Sequence, residues 1–341
     1  MKRCLVIGDI HFGIKTNSLI WFEYQNNLFK KQIIPIIENK NIDTIIFLGD
    51  LFDIRYSINQ QIGYDAKEIV VSLFKRFSDK QFIFLAGNHD YYSPLEELSK
   101  YNIYDLLFDD EFRKTYKNVK FICNEPYFQD GALFLPWYFT ENPNHFDSLL
   151  YNYKFGIEVK SIYCHTDLSI WPGSRITSLR GCPVYSGHIH NIIIDEENHL
   201  YNLGSAMGFT FSDVDEVKYL YIIEDHAIVE KIPNTTTPMF KRIFNEDIFT
   251  ISDSDIENSF VQLCVSSSNI NKANYIDQIK YIKDAYSQSD IKVRIIEDKL
   301  ISSATFNSEG INTNVSQFID DNMPEYLQPK YAMIKDRLKE K

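Results

Sequence analysis

Five short apolar runs in the first 190 residues each end in polar side chains. The runs are RCLVIGD, DTIIFLGD, KQFIFLAGNHD, KSIYCHTD and CPVYSGHIH. An apolar run of this length that stops at a polar turn is typical of a buried β-strand. Between the first three runs, WFEYQNNLFKKQIIPIIENK and AKEIVVSLFKRF space their apolar residues three and four apart, which predicts helices. Pro35 interrupts the first of these helices, so we expect a kink or a break there.

The order of these elements predicts the fold class and the domains. Strands that alternate with helices favour an α/β fold. HLYNLGSAM, VKYLYIIED and HAIVEKIP then read as successive antiparallel strands that close a domain at residues 1–240. Beyond IPNTTTP the pattern becomes strand, helix, strand, and we predict a small second domain at 245–305. ISSATFNSEGINTN reads as a linker, and residues 315–341 as amphipathic helical turns that end in basic residues.

Composition and charge narrow the possible functions. With 341 residues the chain exceeds one typical domain. The net charge of -12 argues against a protein that coats nucleic acid by electrostatics alone. A nuclease stays possible, because divalent cations can invert the field locally. Five scattered cysteines without C-x-x-C spacing predict reduced thiols in a cytoplasm, that of the host if the chain is phage-encoded. No stretch approaches the length of a transmembrane helix, so we expect no membrane contact.

Side chains that can bind metal follow every one of the five predicted strands. They are Asp9 and His11, Asp50, Asn88 and His89, His165, and finally His188 and His190. Because ligands of α/β folds bind outside the carboxyl ends of the strands, we expect these groups to meet at one site. Each motif alone is more often a turn or a helix cap. Five of them in the same context predict a metal centre.

The number and chemistry of these donors favour two ions. One ion takes about four to six ligands, and Asp50, whose carboxylate has two oxygens, is the natural bridge. A mixture of carboxylate, amide and imidazole suits Mn²⁺, Fe²⁺ or Zn²⁺ better than Mg²⁺ or Ca²⁺. Two ions about 3.5–4 Å apart form a clamp for in-line displacement at phosphorus. The predicted reaction is therefore metal-assisted phosphoester hydrolysis.

His89 is the predicted general acid of this reaction. It follows Asn88 and precedes Asp90 in GNHD. A histidine beside the ions could protonate the leaving alkoxide, and Asp90 could hydrogen-bond the other ring nitrogen and raise the pKa of His89. The alternative is that His89 is a ligand or has a structural role.

The motifs GDIHFG, GDLFD, GNHD, CHTD and GHIH, in that order, resemble the calcineurin-like metallophosphoesterase superfamily over residues 1 to about 235. The resemblance implies a four-layer αββα sandwich. It also implies two ligand sets that share Asp50: Asp9, His11, Asp50 and His190 for one ion, and Asp50, Asn88, His165 and His188 for the other. Two positions depart from the pattern. Cys164 replaces the glycine common before the fourth-motif histidine, and Asp53 stands where archaeal and eukaryotic relatives place a histidine.

Further stretches are similar to SbcD-type nuclease subunits, especially the recombination-endonuclease subunits of tailed phages. They are GDIHFGIK, GDLFDIR, FLPWY, LYNLGSAMGFTFSD and IPNTTTPMF. The resemblance implies a Mn²⁺-dependent double-strand exonuclease and single-strand endonuclease in DNA repair, recombination or replication. It implies a homodimer, formed through the helices after the first two motifs, that works with an SbcC-type SMC-like ATPase. Residues 245–305 would cap the site and orient DNA, and the segment from Tyr326 to Leu338 would bind the ATPase; the alternative is a solvated terminal helix.

Basic residues near the predicted strand ends are candidates for contacts with DNA. Four basic residues near the predicted strand ends could contact phosphates, namely Lys15, Arg55, Arg175 and Arg180. The alternative for each is an ordinary solvated charge.

A small-molecule phosphoesterase, such as a nucleotidase or cyclic-nucleotide phosphodiesterase, would share the metal site but would not need the cap and the basic tail. A non-catalytic binding module would have lost ligands or the acid, and here none is missing.

Overall fold

The computed structural model describes residues 2–53, 57–93, 101–137, 140, 159–171, 181–286 and 290–297. The strands of this part of the chain form two six-stranded sheets and one three-stranded sheet. In chain order they are β1 (Arg3–Ile7), β2 (Thr44–Phe47), β3 (Gln81–Leu85), β4 (Val119–Ile122), β5 (Tyr127–Gln129), β6 (Ala132–Leu135), β7 (Ser161–His165), β8 (Val184–Gly187), β9 (Ile193–Asp195), β10 (Leu200–Asn202), β11 (Tyr219–Glu224), β12 (Ala227–Pro233), β13 (Met239–Phe244), β14 (Ser259–Ser266) and β15 (Ile291–Ile296).

Helices of this part of the chain connect the strands. The α-helical segments are α1 (Ile14–Asn17), α2 (Leu19–Leu28), α3 (Ile34–Asn39), α4 (Gln60–Arg76), α5 (Ile103–Leu107), α6 (Asp110–Thr115), α7 (Asp253–Ile256) and α8 (Ala273–Ala285). A π-helical turn, Phe29–Ile33, joins α2 to α3, and short 3₁₀ turns cover Leu168–Ile170 and Asn245–Thr250. Among the described residues, no helix combines the length and the apolar character needed to cross a membrane.

The two large sheets stack face to face. The first has the order β12-β11-β1-β2-β3-β4 and the second β5-β6-β7-β8-β10-β9. Since side chains of a strand alternate between its faces, Val6 and Ile46 of the first sheet meet Phe134 and Tyr163 of the second in a buried inner layer. These parallel central strands are buried on both faces, which explains their continuous apolar sequences.

Helices cover the outer face of the first sheet, where Leu5 and Phe47 pack against Leu28 and Phe74. On the outer face of the second sheet, buried side chains of β6, β7 and β8 pack against Leu168 and the neighbouring Trp171. The predicted α/β class and metallophosphoesterase sandwich are therefore confirmed.

Two details differ from the pattern in the sequence. Only β11 and β12 form the predicted antiparallel pair, beside β1, whereas β10 lies in the second sheet, parallel to β8. An apolar pattern fixes which face of a strand is buried, but not which strand is its neighbour. Pro35 does not break its helix. It is the second residue of α3, directly after the π-helical turn. Proline has no backbone N–H to donate, and a widened turn tolerates the missing hydrogen bond.

The third sheet is parallel throughout, in the order β13-β14-β15. One face packs on α8 through Val261, Leu263 and Ile282. On the other face, Phe260 stacks on Trp21 of α2 with the ring centroids 5.1 Å apart. This sheet starts inside the predicted 1–240 domain, and the boundaries of that domain and of 245–305 stay predictions. The predicted partner-binding segment 315–341 lies outside the described residues.

Candidate metal centre

The site lies where the two large sheets end side by side. The loops after β1, β2 and β3 come from the first sheet, and those after β7 and β8 come from the second. The seven predicted ligands gather here into two groups, because parallel strands present their carboxyl ends at the same edge.

The first half-site consists of Asp9, His11 and His190. Nε2 of His11 lies 3.1 Å from Nε2 of His190. Oδ2 of Asp9 is 4.0 Å from the former nitrogen and 3.8 Å from the latter. Three donor atoms thus face one another closely enough to bind one cation.

The second half-site consists of Asn88, His165 and His188. Its centre is Oδ1 of Asn88, which lies 3.0 Å from Nε2 of His165 and 2.8 Å from Nδ1 of His188. The side chain of His165 is fully buried. Although Cys164 replaces the usual glycine before it, His165 still reaches the site, because Cys164 packs into the apolar layer on the outer face of the second sheet.

Asp50 lies between the half-sites. Its Oδ2 is 3.7 Å from Nε2 of His11 and 3.3 Å from Nε2 of His165. Its Oδ1 accepts a hydrogen bond of 2.7 Å from the backbone N–H of His89, which fixes the carboxylate. One oxygen of Asp50 is therefore within reach of both groups, the position that a bridging ligand requires.

The donor set fits divalent cations chemically. Asp9 and Asp50 are buried carboxylates, and buried charges need a counter-charge or a metal. Burial lowers the pKa of His188 to about 4 and that of His190 to about 3. Both imidazoles are therefore neutral at neutral pH, the form that binds metal. Carboxylate, amide and imidazole donors together suit a borderline ion.

Oxygen atoms near Nδ1 orient the rings of His165 and His11. Nδ1 of His165 lies 2.8 Å from the carbonyl oxygen of Leu48, and Nδ1 of His11 lies 3.1 Å from Oδ1 of Asp53. Such partners fix the tautomer and leave Nε2 for the metal. Gln25, which the sequence did not suggest, donates to the carbonyl oxygens of Ile10 and His11 at 2.7 Å each and holds the first motif in place.

Glycines of the motifs allow the carboxylates to approach the backbone. A Cβ on Gly87 would lie 2.2 Å from Oδ1 of Asp50, and one on Gly187 would lie 2.5 Å from Oδ1 of Asp9. Neither position has room for a side chain. Three of the candidate ligands, His11, Asp50 and His188, have positive φ angles, a conformation that costs energy and clusters at functional sites.

His89 lies beside the two groups. Its Nδ1 is 3.3 Å from Oδ1 of Asp53 and 3.2 Å from the backbone oxygen of Asp53. Burial lowers the pKa of His89, but Asp53 and Asp50 outweigh this effect and raise it to about 9. His89 is therefore protonated at neutral pH, as a general acid must be.

The expected contact between Asp90 and the His89 ring is wrong. The carboxylate of Asp90 turns to the backbone, where it accepts hydrogen bonds from the N–H groups of Phe52 and Gly87. Asp90 thereby ties the second motif to the third. Asp53 takes the orienting place beside His89, because both residues lie in loops at the same edge of the first sheet.

Of the four predicted DNA contacts, Lys15 is exposed in α1, whose central residues have left-handed backbone angles. Its Nζ lies 5.7 Å from the ring centroid of Trp21. Arg55, Arg175 and Arg180 lie outside the described residues.

A family model described as "Calcineurin-like phosphoesterase" matches residues 2–192, more than half of the chain. The chain belongs to this family. The predicted resemblance and the predicted enzyme class, a metal-dependent phosphoesterase, are thereby confirmed. The matched range contains all five motifs, including His188 and His190.

This calcineurin-like phosphoesterase is also similar to a curated phage protein. It is 26% identical over 293 residues to "Exonuclease subunit 1" of Enterobacteria phage T4, which covers 82% of this chain and 81% of that protein. Among solved structures, the crystal structure of Pseudomonas putida nuclease MPE matches with a TM-score of 0.32 and 16% identity, over 68% of this chain and 87% of that one.

Proposed function

We propose that this phosphoesterase is a DNA nuclease subunit that uses two divalent ions, with Mn²⁺ as the preferred ion. The observation that carries the proposal is the position of Asp50, whose Oδ2 is within 3.7 Å of a histidine nitrogen of each half-site. A shared carboxylate between two donor sets is the arrangement of two-metal phosphoester hydrolysis. Mn²⁺ binds mixed oxygen and nitrogen donors and tolerates such a set.

Each residue has a defined part in the proposed mechanism. Bound ions would supply Lewis acidity and an activated water for attack on phosphorus. Asp50 would hold the spacing of the two half-sites, with Asp9, His11 and His190 on one side and Asn88, His165 and His188 on the other. His89, oriented by Asp53 through Nδ1, would donate its Nε2 proton to the leaving oxygen.

The similarity to the phage T4 protein supports DNA as the substrate. Its name describes an exonuclease subunit, and an alignment over 293 residues extends well past the family match at 2–192. The similarity therefore includes the third sheet or segments near it, and not only the catalytic motifs. We propose double-strand exonuclease and single-strand endonuclease activities in DNA repair, recombination or replication, with residues 245–305 as a cap that orients DNA.

The substrate class is tested by comparing the hydrolysis of DNA with that of small nucleotides. The protein with Mn²⁺ is incubated with linear duplex DNA, with circular single-stranded DNA, and with nucleotide monophosphates or cyclic nucleotides. The expected result is DNA cleavage without comparable nucleotide turnover. Asp50→Ala, purified in the same way, controls for contaminating nucleases. Robust nucleotide hydrolysis with intact DNA would favour the small-molecule phosphoesterase instead.

We also propose that the chain forms a homodimer and works in the cytoplasm with an SMC-like ATPase of the SbcC type. The word "subunit" in the name of the phage relative supports a partner. Leu19 and Ile20 on α2 and Tyr64 on α4 are exposed, which supports a dimer through these helices. Copurification with a large coiled-coil ATPase tests the partner. Light scattering of the wild type and of Tyr64→Glu tests the dimer, and a monomeric wild type would contradict it.

A further inference from the structure

A buried lysine lies behind the first half-site. Lys218, just before β11, is only 4% exposed. Its Nζ donates hydrogen bonds of 2.8 Å to the backbone oxygen of His190 and to Oδ1 of Asp213, and a third to Oε2 of Glu216. Burying an ammonium group is costly unless it is fully paired, and here two carboxylates and one carbonyl provide that pairing.

Glu216 continues this network to the loop after His190. Its Oε1 accepts a hydrogen bond from the backbone N–H of Ile192, and its Oε2 accepts one of 2.9 Å from Nδ2 of Asn191. The carbonyl oxygen of His190 also accepts from the backbone N–H of Ser205 at 3.0 Å. Both ends of the segment 190–192 are thus held, the His190 end by buried Lys218 and Ser205 and the Ile192 end by half-buried Glu216.

Asp213 continues the network to the imidazole rings. Its Oδ2 accepts hydrogen bonds of 2.9 Å from the backbone N–H groups of Phe209 and Thr210. The ring of Phe209 packs edge-on against both His11 and His190, with centroid distances of 5.1 Å to each. One ammonium group is therefore linked to the backbone of His190 and to the aromatic ring that packs against both imidazoles of the first half-site.

We infer that Lys218 is a positioning residue for the first half-site: with Asp213 and Glu216 it fixes the orientation of His190 and keeps its Nε2 aimed at the same point as that of His11. This inference rests on the two-ion assignment of the proposed function. It is specific to one ion, because the second half-site is held differently. There the ring of His165 is oriented by the carbonyl oxygen of Leu48, at the end of β7 in the second sheet.

Lys218→Met tests the inference, because methionine keeps most of the apolar stem and removes the ammonium group. Mn²⁺ binding to the metal-free protein is followed by calorimetry, and the bound state by electron paramagnetic resonance, which distinguishes a coupled Mn²⁺ pair from a single ion. The wild type should bind two ions. In the variant, the affinity for one ion should fall about 10- to 100-fold, the usual effect of losing a partner behind a ligand, while the other affinity is kept. Lys231→Met, at an exposed lysine of β12, is the matched control.

Glu216→Gln is the second variant, used alongside in case Lys218→Met fails to fold. Glutamine keeps an acceptor for Ile192 but removes the charge that pairs with Lys218, so the same selective loss is expected, to a smaller extent. If the wild type binds fewer than two ions, the two-ion assignment of the proposed function fails. If the wild type binds two and the folded variants keep both affinities, or lose both equally, the positioning role of Lys218 is overturned and the proposed function stands.

Discussion

Two histidines of the candidate metal centre, one from each half-site, differ in how the fold holds them. His165 lies at the end of a central strand, is fully buried, and is oriented by a backbone carbonyl oxygen. His190 lies in a loop, keeps 31% of its side chain exposed, and depends on the buried side chains around Lys218. One histidine is therefore held by the sheet itself, and the other by a network of polar side chains that the sheet supports.

The electrostatic surroundings differ as well. Burial lowers the pKa of His165, but the carboxylates of Asp50 and Asp9 outweigh this effect and raise it to about 9. At His190, burial and the neighbouring His11 lower the pKa to about 3. Metal-free protein at neutral pH thus carries a proton on the sheet-held histidine and none on the loop-held one. The first must lose a proton before it can bind an ion.

The largest effect is expected where the half-sites meet. Asp50→Ala removes the carboxylate whose Oδ2 is within reach of both groups, so the binding of both ions and the hydrolysis should be lost. Calorimetry with Mn²⁺ and a hydrolysis assay measure this, with circular dichroism to verify the fold. Retention of one tightly bound ion would contradict the bridging position.

His89→Ala should separate chemistry from metal binding. It removes a proton donor that belongs to neither half-site, so turnover should fall by about 10²–10⁴-fold while both ions remain bound. Metal content per chain and kcat are measured on the same preparation. A loss of metal in parallel with the loss of activity would instead make His89 a ligand.

Alanine substitution of the two contrasted histidines should affect stability unequally in the metal-free protein. His165→Ala leaves the carbonyl oxygen of Leu48 without its hydrogen-bond partner. It also removes the protonated imidazole that lies between the carboxylates of Asp9 and Asp50. The free energy of unfolding should fall by at least about 1–3 kcal/mol, the cost of an unsatisfied buried group. His190→Ala, at a partly exposed ring, should cost less. Urea unfolding in the presence of a chelator gives both values, and an equal cost would remove the proposed contrast.

The pH dependence of metal binding should differ as well, by a smaller factor. Because His165 is protonated below about pH 9, the ion at the second half-site must displace a proton. Its affinity should rise by up to about tenfold per pH unit between about pH 6.5 and 8.5, with one proton released. His190 has no proton to lose in this range, so the first half-site should change less. Calorimetry in two buffers of different ionisation enthalpy counts the protons, and equal release at both sites would contradict the assignment.

Much of the candidate metal centre was predictable because each candidate ligand closely follows an apolar strand in its own motif. The end of such a strand is a local property, and parallel strands bring their ends together. The partners behind the ligands were not predictable in this way. Asp53 lies 36 residues from His89, and Lys218 lies 28 residues from His190. In the sequence VDEVKYL, Lys218 resembles any solvated lysine, because its burial depends on how the loops pack and not on the local pattern.

The same limit applies to the fold. The five buried strands β1, β2, β3, β7 and β8 follow from their apolar runs, whereas β4 and the buried β6 were not predicted. The parallel pairing of β10 with β8 does not follow either, because pairing depends on contacts between distant segments. The π-helical turn before Pro35 does not follow either, because Pro35 predicts a kink or a break but not the kind of turn that precedes it.

Diffraction from a crystal soaked in Mn²⁺, recorded at the manganese absorption edge, tests the central claim most directly. We predict two anomalous peaks about 3.5–4 Å apart, with Asp50 within bonding distance of both, His190 beside one and His165 beside the other. A single peak, or two peaks that do not share Asp50, would contradict the two half-sites and the mechanism that depends on them.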